Sequence, residues 1–248
     1  CSSDLSIYKG VSSVKFCNVQ IADELMELSK NKYTNFVDLL GDIKDKTSMN
    51  SRQLNILTGL NFFSDFGKNQ YLLNVIDVYD KFSSVKVIAK KKMEELGLSE
   101  YLMEKYSEKE TAAQYRGIDN DGLIKELCNR IENKPMSIVD QVKFDLEHLE
   151  YTDYVNEKMA DDYYIVTSFI TYKDPCKPSV VLRRICDGEE IKTRIKQSKT
   201  FKEMPFGLYS ILKIEGFTYD FKSKKVNGEW QKSDEREVIL EQYEVMKG

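Results

Sequence analysis

The sequence predicts an α+β chain, helical over its first part and built from strands after about residue 160. Three observations predict it. Apolar residues recur at helical spacing from Ile21 to Leu149. The period drops to two near Tyr163, where β-branched and aromatic residues take over. The strand-forming stretches are separated by turn pairs such as Asp187-Gly188. With 248 residues and 41% hydrophobic side chains, the chain can bury one large core or two ordinary ones.

Asn18 is placed to cap a first helix, with Ile21, Leu25 and Leu28 on its buried face and Ala22 and Met26 beside them. After a break at Asn31 and Lys32, Phe36, Leu39, Leu40 and Ile43 mark a second helix. Leu54 and Leu57 mark a third that stops near Gly59. A fourth, opening near Gly67, turns Leu72, Val75, Ile76, Tyr79 and Phe82 inward. Residues 86–117 are dense in charge from the Lys90-Lys91-Lys92 run onward and read as exposed helix or linker. Leu123, Leu127 and Ile131 then share a helix face, and Pro135 interrupts it. Ser137 with Asp140 forms an S-x-x-D cap for a helix through Val142, Leu146 and Leu149.

Strands are expected over 163–172, 179–186, 191–199 and 209–221, with 238–246 as a fifth strand or its helical substitute. Asp174-Pro175, Asp187-Gly188 and Asn227-Gly228 are the hairpin turns between them. Five short strands appended to a helical body imply a small closed barrel of the oligonucleotide-binding (OB) type. The expected organisation is a helical region over 1–85, a charged linker with helices over 86–160, and the barrel over 161–248.

The net charge of −4 excludes a uniformly basic nucleic-acid coat. The charge is uneven: from Tyr163 onward there are 16 Lys and Arg against 13 Asp and Glu, leaving 21 against 28 upstream. Five cysteines without a C-x-x-C pair read as reduced thiols of a cytoplasmic protein. No run of apolar residues is long enough to cross a bilayer, so no membrane partner is expected. The single His148 permits neither H-E-x-x-H nor a two-histidine metal site, and no phosphate-cradling glycine motif is present. Asp119 and Asp121 before Gly122 read as a turn and helix cap, since Arg130 stands where a calcium loop needs its glutamate. No catalytic residue, metal site or cofactor is expected.

Asn50-Ser51-Arg52-Gln53, then Leu57, Asn61-Phe62-Phe63 and Phe66-Gly67, form an ordered series with Val14-Lys15 through Leu28 and with Phe36-Val37-Asp38-Leu39-Leu40. Glu147-His148-Leu149-Glu150-Tyr151 follows before the strands. This series resembles the region after the fingers of the family C polymerase α subunit, that of bacterial DNA polymerase III, where tandem helix-hairpin-helix motifs precede an OB fold. The resemblance covers most of the chain. It implies a non-catalytic segment that guides template and single-stranded DNA and docks other replication subunits, a sliding clamp among them, within a cytoplasmic nucleotidyltransferase. One departure is plain: Phe16-Cys17-Asn18 stands where such hairpins carry G-x-G to bring backbone amides against phosphate. The palm aspartates of that family have no match here. Gln70-Tyr71-Leu72-Leu73 has some letters of a clamp-binding motif but reads as buried helix face.

Phosphates are bound by Lys, Arg and helix-start amides, and unstacked bases by aromatic rings. In 191–196, alternation sends Ile191 and Ile195 to one face and Lys192, Arg194 and Lys196 to the other, extended by Lys199. Phe217 and Tyr219, with Phe221, alternate onto one face, and Trp230 follows the turn, giving a possible stacking platform. In the helical part Lys15, Asn18 and Arg52 flank the hairpins. Each also has a plain structural reading: a solvated strand face, barrel core, or a helix cap. Two rival readings follow. The barrel serves only to dock proteins, or the chain is a free-standing single-strand-binding protein.

Overall fold

The computed structural model of the protein describes residues 10–12, 14–226 and 229–246, with every side chain in those ranges except 224–226 and 230. It is mixed α+β and divides into two compact units, Cys1–Met136 and Ser137–Gly248.

The first unit opens with α1 (Val19–Leu28), α2 (Phe36–Lys46), α3 (Ser51–Gly59) and α4 (Asn69–Phe82), with a 3₁₀ turn at Ser64–Phe66. Asparagine starts three of these helices for one reason: its side-chain oxygen satisfies an amide that the helix leaves unpaired. Asn18 accepts from the Ile21 N–H at 2.9 Å, Asn35 from Asp38 at 2.9 Å and Asn50 from Gln53 at 3.0 Å. Gln53 returns the bond by accepting from the Asn50 N–H at 2.9 Å, which completes a capping box. α4 has no side-chain cap of its own. Segment 133–136 supplies partners instead: the Lys68 N–H donates to Asn133 Oδ1 at 2.8 Å and the Tyr71 N–H to the Lys134 carbonyl at 3.2 Å. Buried Leu40, Ile43, Leu54, Leu57, Leu72 and Ile76 form the interior, and Phe36 packs its ring against Phe63 and Phe66.

The charged stretch expected as exposed helix or linker folds differently. It forms β1 (Val87–Ala89), α5 (Glu100–Lys105), β2 (Ser107–Glu110) and β3 (Gln114–Ile118), with the strands in an antiparallel sheet of order β1-β3-β2. Ile88 lies directly opposite Tyr115, and both are buried, as are Leu102 and Met103 of α5. A few apolar anchors suffice because the strands are three to five residues long. In α6 (Asn120–Cys128), Asp119 caps through the Gly122 N–H at 3.0 Å, and the buried face is Leu123, Ile124 and Cys128; Leu127 is half-buried.

The second unit begins with α7 (Ile138–Leu149), capped by Ser137, whose hydroxyl accepts from the Asp140 N–H at 3.1 Å. Its strands are β4 (Tyr163–Ile170), β5 (Ser179–Arg184), β6 (Glu190–Arg194), β7 (Ile211–Val226) and β8 (Glu229–Val245), with a short helix α8 (Ser198–Glu203) between β6 and β7. They close a barrel in the order β4-β5-β6-β8-β7, which β7 completes against β4. All neighbours are antiparallel except β6 and β8, which run parallel at Thr193↔Val238 and Arg194↔Ile239. This arrangement is consistent with an OB-type barrel. Val166, Leu182, Ile195, Leu212, Leu240 and Tyr243 fill the interior, and the Tyr243 hydroxyl donates to the Met204 carbonyl at 2.9 Å. Val142 of α7 is buried with Ile165 and Ile185 in a second cluster. The helix therefore packs with the barrel, and the unit boundary falls at 136/137 rather than near 160.

Three further expectations are corrected. β6 ends at Arg194, and Lys199 sits on α8, because Ser198–Glu203 takes up helical hydrogen bonding instead of extending the strand. The last segment is a strand, and it starts at Glu229 rather than 238. β7 continues past Phe221 to Val226, so β7 and β8 form a two-stranded arm beyond the region in which β4 and β6 flank them. The Asn227-Gly228 turn lies outside the described residues. Among the described residues no helix is long and apolar enough to cross a membrane.

Candidate nucleic-acid interface

The outer face of β5 and β6 carries a groove of about 360 Å³. Strand alternation builds its floor: Ser179 and Val181 point outward from β5, and Lys192 and Arg194 from β6, while Val180, Leu182, Thr193 and Ile195 point inward. Ser168 and Ile170 at the end of β4 close one side. Lys222 of the β7 arm and Glu237 of β8 close the other.

The expected basic row is present but not free. Arg194 donates from Nη2 to Glu237 Oε1 at 2.6 Å, and the same oxygen lies 3.0 Å from Lys196 Nζ. Lys196 also pairs with Asp220 of β7, which in turn lies 3.4 Å from Lys232 Nζ. The lysine hydrogen bond, with the Phe221 amide, holds the Asp220 carboxyl down at about 2. Lys222 pairs with Glu235 at 2.9 Å. Lys192 is exposed on the groove floor. Lys199, on α8, is absent from the groove lining, and its ammonium lies 3.8 Å from Glu203.

The aromatic ladder divides. Phe217 turns into the barrel and meets Tyr164 edge-on with centroids 5.8 Å apart, so it is core. Tyr219 is 69% exposed and Phe221 41%, with the Arg236 guanidinium 5.7 Å from the Phe221 ring centre. The side chain of Trp230 lies outside the described residues. Sequence reasoning passed over Tyr172, the most open of these rings at 72% exposure, in the β4–β5 loop two residues past the groove residue Ile170. It also missed Lys222 and Glu237, whose signal was only the register that sets β8 beside β6 and β7 beside β8.

In the first unit the Asn18 side chain is taken up as a helix cap. The Arg52 guanidinium sits over the exposed Phe16 ring, 3.7 Å from its centre, and Gln53 Nε2 donates to the Phe16 carbonyl at 2.7 Å. Phe16 adopts a left-handed φ of 70°, a conformation usually left to glycine. Lys15 belongs to this same turn. Lys15, Asn18 and Arg52 are thus gathered around one turn and the start of α3, apart in sequence from the barrel groove. A larger cleft of about 880 Å³ in this unit is walled mainly by Leu25, Leu28, Leu39, Phe62, Phe63 and Phe66.

No family model, curated protein or solved structure matches the chain.

Proposed function

We propose that the second unit binds single-stranded nucleic acid along the β5–β6 groove, within a non-catalytic segment of a replicative polymerase of the family C type. The observation that carries the reading is a groove on the outer face of a five-stranded barrel, flanked by the β4–β5 connection and the β7–β8 arm, with the outward cations Lys192 and Arg194 in it and the open ring of Tyr172 two residues past the groove residue Ile170. In OB barrels this face and these two loops take oligonucleotides. Cations track the phosphates while rings stack on bases, which suits a strand read without regard to sequence. The ordered sequence series around Asn50–Gly67 supports the polymerase setting, with template and single-stranded DNA as ligand. The helix-hairpin-helix reading of the first unit belongs to the same proposal, with Arg52 and Lys15 near its turn. Docking of a sliding clamp or another replication subunit is its partner-binding half.

A second reading has its own observation. Arg194 and Lys196 are matched by Glu237 and Asp220, so the barrel face is less cationic than its sequence suggests, as a protein-docking surface would be.

Fluorescence anisotropy of labelled oligo-dT against the protein across a salt series separates the two. Binding that weakens as salt rises, and weakens further in Lys192→Ala, supports the nucleic-acid reading. Absence of binding at low salt hands the surface to protein docking.

A further inference from the structure

We infer that Glu237 is a resident anion of the groove, its carboxylate occupying the position between Arg194 and Lys196 that a strand phosphate takes on binding. This rests on the nucleic-acid reading of the groove and adds to it a built-in competitor that limits affinity.

The geometry has three parts. One carboxylate oxygen of Glu237 sits within hydrogen-bond reach of both cations, at 2.6 Å from Arg194 Nη2 and 3.0 Å from Lys196 Nζ, as a bridging phosphate oxygen would. The carboxylate is part of the groove wall and its side chain is only 13% exposed, whereas the Arg194 side chain it holds is 43% exposed and opens to the groove. The pairing is also single-pronged: Arg194 Nε is buried and has no hydrogen-bond partner, so the two-pronged fork a guanidinium can form is unfilled. The parallel register of β6 and β8 fixes this, because Arg194 lies opposite Ile239 and so sets its side chain beside that of residue 237. Asp220, from the arm, holds Lys196 more closely than Glu237 does but does not reach Arg194.

An incoming phosphate must displace Glu237 from its cations or share them with it. Removing the charge while keeping the shape should therefore release Arg194 to the strand and leave Lys196 with Asp220 as its remaining anion. The test is anisotropy with labelled oligo-dT in a salt series on the wild type, Glu237→Gln, Asp220→Asn and Glu203→Gln. Glu203→Gln removes the same charge from α8, whose residues do not line the groove. Glu237→Gln is expected to bind about fivefold more tightly near 50 mM salt, with a log–log salt slope steeper by about 0.7, one further phosphate contact on a single strand. Asp220→Asn should show a smaller gain in the same direction, and it carries the test if Glu237→Gln does not fold by circular dichroism. Wild-type binding with no gain in the groove variants overturns the inference and leaves the nucleic-acid reading standing. An equal gain in Glu203→Gln also overturns it, since net charge alone would then be the cause. If neither the wild type nor any folded variant binds at low salt, the nucleic-acid reading falls and this inference with it.

Discussion

The hydroxyl of Thr152 donates to the carboxylate of Asp145 at 2.7 Å, tying the segment that leads to β4 back onto α7. Gln141 Nε2 donates to the other oxygen at 2.7 Å, and all three residues are buried. Burial pushes the Asp145 carboxyl above its ordinary value, against the pull of these two bonds. A carboxyl with a raised folded value binds its proton more readily in the folded state. Its charge therefore costs stability as pH rises through that folded value, and the cost disappears as pH falls toward the unfolded one. Asp145→Asn should remove this pH dependence and be nearly neutral in stability at pH 7. Asp145→Ala should cost about 1–3 kcal/mol by leaving Gln141 and Thr152 buried without their acceptor. Urea denaturation of both variants at pH 5 and pH 7 checks this.

Asp187 acts in the opposite sense. Arg184 holds its carboxyl down at about 2, through a hydrogen bond from Nε at 2.9 Å and a second from Nη2. The stability it contributes is present above its ordinary value and lost as pH falls toward 2. Acid titration followed by near-UV circular dichroism should show Asp187→Asn losing part of the wild type's sensitivity between pH 4 and pH 2.

In the first unit, Asn69 is 1% exposed and joins three segments: its Nδ2 donates to the Gly59 carbonyl at 3.0 Å, and its Oδ1 accepts the Met136 N–H at 2.9 Å. Asn69→Ala removes both of these bonds from the buried backbone. The expected loss is about 2–4 kcal/mol, larger than for an exposed cap, and thermal denaturation should show it against Asn50→Ala, for which about 1 kcal/mol is expected.

At the groove, Tyr172→Ala should weaken oligo-dT binding by about tenfold without changing the salt slope, because stacking displaces no counterions. Lys192→Ala should instead make the slope shallower by about 0.7. Lys199→Ala should leave both unchanged. Equal effects of Lys192→Ala and Lys199→Ala in the anisotropy series would mean that the groove is not the phosphate path.

Much of the architecture was legible because periodicity is a local property. Asn18 and Ser137 announced their helices, since a cap works through a neighbour three residues away. The alternation of 191–195 sent Ile191 and Ile195 inward and Lys192 and Arg194 outward, as the pleat requires. The sheet of β1, β2 and β3 was hidden, because three to five residues give too few repeats for a period of two to stand out among charges. The end of β6 at Arg194 was equally hidden: nothing within 191–199 records that the chain must turn into α8 there.

Sequence by itself determined where the run of barrel strands begins, which residues of 191–195 face inward, and that the later part could close a barrel. Only the tertiary structure decided that α7 packs with the barrel, that Phe217 is core while Tyr172 and Tyr219 are open, and that Arg194 and Lys196 meet Glu237 and Asp220. The physical reason is that side-chain direction follows from dihedral angles of adjacent residues. Charge pairing across strands depends instead on register between segments more than forty residues apart, such as Arg194 and Glu237, and no local pattern encodes that register.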